Sequence, residues 1–115
     1  MQGKISYLAA PYSGTPEEIS KRMEAFYLVD AELMRLGYFT VSPLLKHATL
    51  PYADLPGSWE YWKEYSEVLL SRCSEMIIIM IDGWPTSNGV LGEMALCAKY
   101  GIPIRYYDPE TKEFS

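Results

Sequence analysis

Glu93 is the residue whose type and surroundings most suggest chemistry, because it is the one acid in the apolar segment 88–100. Gly92 precedes it, Met94 follows it, and Gly89 lies about one helical turn earlier. A carboxylate among apolar and glycine neighbours, close to a ligand-binding loop, is a candidate nucleophile or general base. The same spacing is also compatible with a surface glutamate on an amphipathic helix.

The elements before Glu93 are those that would place it beside a ligand. Residues 76–81 form the most hydrophobic run of the chain and predict a strand buried on both faces. Residues 82–89 then form a loop rich in Gly, Ser and Asn that opens a helix. Backbone N–H groups at a helix start favour an anionic or polar ligand. The candidate binding residues are Asp82, Ser87, Asn88 and Gly89. Ser87 could cap the helix, bind the ligand, or do both.

Strand and helix signals alternate along the rest of the chain. Thr15 and Pro16 start a helix that ends before Gly37, and Gly101 ends the helix that carries Glu93. Pro103 suggests that the last strand lies at a sheet edge. Residues 42–56 are predicted to be irregular and residues 108–115 to be a polar tail. The predicted strands are 4–9, 38–41, 75–81 and 102–107, and the predicted helices are 16–36, 59–72 and 88–100.

This alternation predicts one α/β domain over residues 1–115, a flavodoxin/Rossmann-like three-layer fold with a four- to five-stranded parallel sheet of order 2-1-3-4. Such an order has a switch point between strands one and three. The loops at 10–14 and 82–89 should therefore meet at one crevice. Tyr7 should end near that crevice, and its first loop contributes four further candidates: Ala10, Pro11, Tyr12 and Ser13.

Aromatic residues and one histidine could complete a pocket there. Ten tyrosines and three tryptophans exceed what a small core needs, and they suit a flat base or a sugar. Trp59 and Trp62 share a helix face at i, i+3, although ordinary core packing would use the same spacing. His47, on a loop after the second strand, could bind a substrate or cap a turn.

Composition and missing motifs exclude several classes of function. A net charge of −5 without a Lys/Arg cluster argues against polymeric nucleic acid as a partner. A single histidine among scattered acids predicts no metal site. Cys73 and Cys97 fit core thiols in a reducing cytoplasm. The longest apolar run is too short to cross a bilayer, and no signal segment opens the chain, so we expect a cytoplasmic protein. Neither GxGxxG nor GxxxxGK[ST] is present, and no cofactor is predicted.

Two segments together resemble the signatures of the nucleoside 2-deoxyribosyltransferase superfamily. They are ISYLAAPYS at 5–13 and SNGVLGEMA at 87–95. The middle segment, from SPLLKH at 42–47 through Trp59 and Trp62, resembles a small branch of that superfamily, near its nucleotide N-glycosidases. The resemblance extends over essentially the whole chain, as a single domain at 1–115.

The resemblance implies a function. Glu93 matches the nucleophile that attacks C1′ of the deoxyribose, so the chain would hydrolyse the N-glycosidic bond of a nucleoside or nucleoside 5′-monophosphate, or transfer its deoxyribosyl group. Tyr7 would lie near the sugar and the nucleophile. Ser87 matches a position that is Asp in the transferases and Ser in the hydrolases, and a serine suits a 5′-phosphate better. The superfamily also forms homo-oligomers, which implies a dimer or tetramer, packed here through the helix at 59–72.

Two departures from the superfamily pattern leave an alternative open. Ser66 stands where the superfamily has an acid that assists the leaving base, and Glu64 and Glu67 point elsewhere on the predicted helix. The first loop also lacks an arginine that could clamp a phosphate. The alternative is a non-catalytic nucleotide sensor or sponge that kept the pocket.

Overall fold

A computed structural model describes residues 3–115. Within that range five strands and three α-helices alternate, and two 3₁₀ segments lie in the connections. The strands are β1 (Ser6–Ala9), β2 (Thr40–Val41), β3 (Glu75–Ile79), β4 (Ile104–Asp108) and β5 (Glu113–Phe114). The helices are α1 (Pro16–Arg35), α2 (Trp59–Leu70) and α3 (Asn88–Tyr100), with 3₁₀ segments at Pro43–Tyr52 and Trp84–Thr86.

The five strands form one sheet in the order β2-β1-β3-β4-β5. β1 pairs in parallel with β2 and with β3, and its last residue, Ala9, lies opposite Ile78. β4 is parallel to β3, whereas β5 is antiparallel to β4. The predicted order 2-1-3-4 is therefore confirmed, with the switch point between β1 and β3. At such a point the loops after the two strands leave the same edge of the sheet in opposite directions.

Helices cover both faces of the sheet, as the α/β prediction requires. Alternate side chains of β1 and β3 divide between two cores, since successive residues of a strand point to opposite faces. One core packs against α1 and contains Leu8, Met23, Phe26, Val29, Leu33, Ile77 and Ile79. The other packs against α2 and α3 and contains Tyr7, Leu70, Met76, Ile78, Val90, Leu96 and Cys97. β3 is buried on both faces, as its hydrophobic run predicted.

The helix boundaries follow from their capping residues. Thr15 and Glu18 form a capping box at the start of α1, so two N–H groups that have no partner within the helix are satisfied. Gly37 and Gly101 have positive φ after the last turns of α1 and α3, as predicted. Ser58 precedes α2, but its side chain makes no capping hydrogen bond.

Two predictions about the connecting segments are wrong, and the polar tail predicted at 108–115 contains a turn and the strand β5. Pro43–Tyr52 is a 3₁₀ segment rather than irregular chain, with Ser42 accepting a hydrogen bond from the Leu44 N–H. β4 is not at the edge, because the chain turns at 109–112 and adds β5 beside it. Pro103 lies just before β4, so its missing N–H costs the sheet no hydrogen bond. Phe114 holds β5 in place by packing against Tyr107.

None of the helices within residues 3–115 combines the length and the apolar character that a bilayer-spanning segment needs.

A glycine sets the distance between α2 and α3. A Cβ placed on Gly92 of α3 would lie 2.4 Å from Cζ2 of the Trp59 indole at the start of α2. That distance is far inside van der Waals contact, so the indole lies directly on the backbone of α3. Position 92 must be glycine because a side chain there would collide with the indole. The contact also fixes where α2 begins relative to α3.

We expect Gly92→Ala to destabilise the fold by about 1–3 kcal/mol, because the new methyl group must displace the indole. Gly89→Ala on the same helix is the matched control. A Cβ there would meet only Ser87 Oγ, at 3.9 Å, and alanine is the better helix former by up to about 1 kcal/mol. Urea unfolding of both variants measures the difference. Equal effects of the two substitutions would show that the Trp59 contact does not limit the packing.

Candidate active site

A cavity of about 540 Å³ opens where the loops after β1 and β3 diverge. Four parts of the chain line it: the first loop, the 3₁₀ segment at 43–52, the start of α2 and the start of α3. A cavity of this size holds a small molecule with one ring system and a sugar. Its lining includes Ala10, Tyr12, Ser13, Leu44, His47, Trp59, Glu60, Trp62, Ser66, Ser87, Asn88, Gly89 and Glu93.

Glu93 lies in the second turn of α3 and is 8% exposed, although it borders the cavity. The Tyr7 hydroxyl, on the neighbouring strand β1, donates a short hydrogen bond to its Oε2. Tyr7 itself is fully buried and lies behind the carboxylate rather than in the cavity wall. The alternative of a solvated surface glutamate is therefore wrong for Glu93.

Burial changes how both of these groups titrate. Desolvation disfavours the charged carboxylate and raises the pKa of Glu93 to about 8, while the hydrogen bond from Tyr7 partly opposes that rise. Burial and the nearby Glu93 together raise the pKa of Tyr7 far above its ordinary value, so the phenol stays a donor. At neutral pH most of Glu93 is protonated, and the cavity holds a carboxyl group that ionises near pH 8.

Ser66 of α2 is 2% exposed and lies beside Tyr7, where its hydroxyl lowers the pKa of the phenol and opposes the effect of burial. Side chains from α2, β1 and α3 thus meet at this point. A serine here adds no second buried charge beside Glu93.

The outer wall is built around Tyr12 and His47. The Tyr12 hydroxyl lies 2.7 Å from Nδ1 of His47, and the two rings meet edge to face. A Cβ on Gly57 would lie 3.1 Å from the Tyr12 ring, so the chain before α2 passes close to it. His47 is therefore held by Tyr12 with its ring at the cavity, which agrees with its predicted position.

The start of α3 forms another part of the cavity wall. Ser87 Oγ accepts a hydrogen bond from the Val90 N–H at 3.3 Å, so Ser87 caps the helix as predicted and also borders the cavity. Asn88 and Gly89 follow it in the cavity wall, in the first turn of the 13-residue helix α3. The positive end of the helix dipole therefore lies beside the cavity.

Two predicted binding residues lie outside the cavity wall. Pro11 is a buried residue of the first loop. Asp82 is exposed where β3 leads into the 3₁₀ turn. Trp59 and Trp62 border the cavity as half-buried side chains, and Trp59 also packs against the core. Trp84 packs against Tyr106 instead, so the turn at 83–85 is structural.

Sequence reasoning missed two charged residues near the site. Glu60 borders the cavity from the first turn of α2. A signal was available, because Glu60 lies between Trp59 and Trp62, whose spacing was compatible with a pocket as well as with ordinary core packing. Arg22 of α1 donates a hydrogen bond to the Ser13 carbonyl. The first loop has no arginine of its own, but Arg22 lies beside it. The sequence could not show this, because the position of Arg22 depends on how α1 packs on the sheet.

The other acids of α2 are occupied elsewhere. Glu67 accepts hydrogen bonds from Lys99 Nζ at 2.7 Å and from the Tyr100 hydroxyl at 2.6 Å. Glu64 borders a separate groove on the outer face of α2. Both therefore point away from the cavity, as predicted.

The raised pKa of Glu93 predicts a pH-dependent stability. Between pH 4.5, its ordinary pKa, and about 8, the folded protein keeps a proton that the unfolded chain has lost, so stability falls as pH rises. The slope is about 1.4 kcal/mol per pH unit, and it ends above pH 8. We expect the melting temperature of Glu93→Gln relative to wild type to rise from pH 5 to 8 and then level off.

Glu67→Gln is the control, since the hydrogen bonds that Glu67 accepts from Lys99 and Tyr100 lower its pKa, so it stays ionised over that range. Its melting temperature should follow wild type at a constant offset. Parallel curves for Glu93→Gln and wild type would show that Glu93 titrates as an ordinary carboxyl group.

Comparison with known proteins gives one assignment. No curated protein matches the chain. The model of a family described as a domain of unknown function (DUF1937) matches residues 4–109. That range contains Tyr7, Glu93 and all of the cavity wall described above. The chain therefore belongs to the DUF1937 family.

Proposed function

We propose that this protein cleaves the N-glycosidic bond of a nucleoside or nucleoside 5′-monophosphate, by hydrolysis or by deoxyribosyl transfer, with Glu93 as the nucleophile. The observation that carries the proposal is the Glu93 carboxyl group: it is buried, it borders a cavity of about 540 Å³, and the Tyr7 hydroxyl holds it. The resemblance of segments 5–13 and 87–95 to the nucleoside 2-deoxyribosyltransferase superfamily supports the same reading.

The reaction would proceed in two steps. A Glu93 carboxylate oxygen attacks C1′ of the sugar, the bond from C1′ to the base nitrogen breaks, and the base departs with the electron pair of that bond. Water or a second base then attacks C1′, and the glycosyl ester breaks to restore the carboxylate. The Tyr7 hydroxyl supports the attack, since a hydrogen bond to the ionised form favours ionisation.

The cavity wall suits a flat base joined to a sugar. Trp59, Trp62 and Tyr12 supply aromatic surface, while Ser87 and Asn88 supply polar groups at the start of α3. Any base can stack on aromatic side chains, whichever hydrogen-bonding groups it carries. The polar groups can hydrogen-bond to the hydroxyls of the sugar. The cavity thus offers both kinds of surface that the two halves of a nucleoside need.

Charge favours a nucleoside over its monophosphate. Among the described residues that line the cavity, Glu60 and Glu93 are acidic and none is lysine or arginine. A phosphate would meet this wall without a direct positive partner, apart from the start of α3. Arg22 is engaged with the Ser13 carbonyl. We therefore expect faster turnover of nucleosides.

The test is product analysis after incubation with a panel of deoxynucleosides, ribonucleosides and their 5′-monophosphates, with and without an acceptor base. We expect free base to be released by wild type. Glu93→Gln should reduce release to background, because an amide keeps the shape of the side chain but cannot form the glycosyl ester. Glu67→Gln, an acid of the outer surface, should keep the wild-type rate.

The pH profile gives an independent readout of the same residue. Attack requires the ionised carboxyl group, so kcat/KM for a 7-methylated deoxyguanosine, whose charged base leaves without being protonated, should rise with pH and level off near 8. A Glu93→Gln variant that turns over near the wild-type rate would remove Glu93 from the mechanism.

A non-catalytic nucleotide sensor is the second candidate, and Ser66 favours it, because a serine stands where the superfamily has an acid. Ligand binding without chemistry would raise the melting temperature with ligand concentration and release no base. The same panel, followed by thermal unfolding, separates the two candidates.

We extend the proposal to assembly as a homo-oligomer through the outer face of α2. Tyr61, Tyr65 and Val68 on this face are about half exposed, which leaves an apolar surface available for burial. Tyr52, in the 3₁₀ segment before α2, is 89% exposed. We expect light scattering at micromolar concentration to give at least a dimer. Val68→Glu should shift the protein towards monomer, and a wild type that is already monomeric would contradict this assignment.

A further inference from the structure

We propose that Glu60 is the general acid and base of the reaction, an inference that rests on the proposed function. A nitrogen base leaves C1′ as an anion unless it receives a proton, and glycosidases therefore pair a nucleophile with a second carboxyl group. Ser66 supplies none. Glu60 and Glu93 are the two carboxyl-bearing residues among the described lining of the cavity.

The packing of α2 on α3 brings Glu60 and Glu93 to the wall of the same cavity. Trp59 lies against the backbone of Gly92, and each of these two residues immediately precedes one of the carboxyl groups in the chain. The contact therefore anchors the first turn of α2, with Glu60, beside the second turn of α3, with Glu93. The other acids of α2 cannot substitute, since Glu67 is bound to Lys99 and Glu64 borders the outer groove.

Glu93 and Glu60 differ in burial, as a nucleophile and a general acid and base should. Glu93 is buried and backed by Tyr7, which suits a group that bonds to carbon. Glu60 is exposed at the rim of the cavity, which suits a group that exchanges protons with water. A nucleoside with its sugar near Glu93 would reach outward with its base, towards Glu60, Trp59 and Trp62.

The proton balance is then complete. The reactive form of the pair carries one proton, on Glu60, with Glu93 ionised; it is the minor form, since burial favours the proton on Glu93. As the bond from C1′ to the base nitrogen breaks, the electron pair passes to the nitrogen, and the Glu60 carboxyl group gives it a proton. The Glu60 carboxylate next takes a proton from the incoming water, whose oxygen bonds to C1′ while the ester to Glu93 breaks. Nucleoside and water become sugar and free base, and both carboxyl groups return to their starting states.

The test compares leaving groups in Glu60→Gln. With ordinary deoxynucleosides we expect a fall of about 10²–10⁴-fold in kcat, the usual contribution of general acid catalysis. A 7-methylated deoxyguanosine carries a positive charge on its base and departs without protonation, so its turnover, corrected for spontaneous hydrolysis, should fall less than about tenfold. A general loss of binding or folding would affect both substrates equally.

Glu64→Gln is the matched control, one turn further along α2 and outside the cavity, and it should behave as wild type with both substrates. Thermal unfolding verifies that each variant is folded. If Glu60→Gln keeps the wild-type rates while Glu93→Gln loses them, the role of Glu60 is overturned and the proposed function stands. If Glu60→Gln lowers the turnover of both substrates equally, Glu60 does not protonate the base. If wild type releases no base, both proposals fail.

Discussion

The site depends on the burial of one carboxyl group against a strand. Glu93 gives up most of its hydration, and the Tyr7 hydroxyl replaces only part of it. An ionised carboxyl group in such a place is expensive unless it is paired, so the group takes up a proton and its pKa rises to about 8. Above pH 5 the protein therefore loses stability, because the folded state keeps at the cavity a carboxyl group that water hardly solvates.

The rest of the fold keeps this arrangement rigid. The switch point between β1 and β3 creates the crevice, and the pleat of β1 turns Tyr7 towards α3 while Leu8 turns towards α1. Ser66 supports the phenol from α2. Because Tyr7, Glu93 and Ser66 are buried and each comes from a different element, none of them can move without disturbing a packed core.

Sequence reasoning reached the fold and much of the site because both depend on local patterns. Hydrophobic periodicity, the capping box at Thr15 and the glycine that ends each of α1 and α3 predicted the elements, and the strand order followed from handedness. β5 was missed because two residues in a polar tail carry no periodic signal. Their pairing depends on Phe114 packing against Tyr107, a contact between elements. Glu60 and Arg22 were missed for the same reason, since their positions depend on how α1 and α2 lie on the sheet.

The contact between Trp59 and Gly92 links what the cavity accepts to how the helices hold together. One indole ring serves as cavity wall on one side and as helix spacer on the other. Replacing Trp59 by a smaller residue would widen the cavity for a larger ligand, but it would also leave a void between α2 and α3. A void in a packed interior lowers the stability of the fold. The smaller residue at position 59 would also leave room at position 92 for a side chain that could fill the void. Family members that bind ligands of different sizes should therefore differ at positions 59 and 92 together, and not at one of them alone.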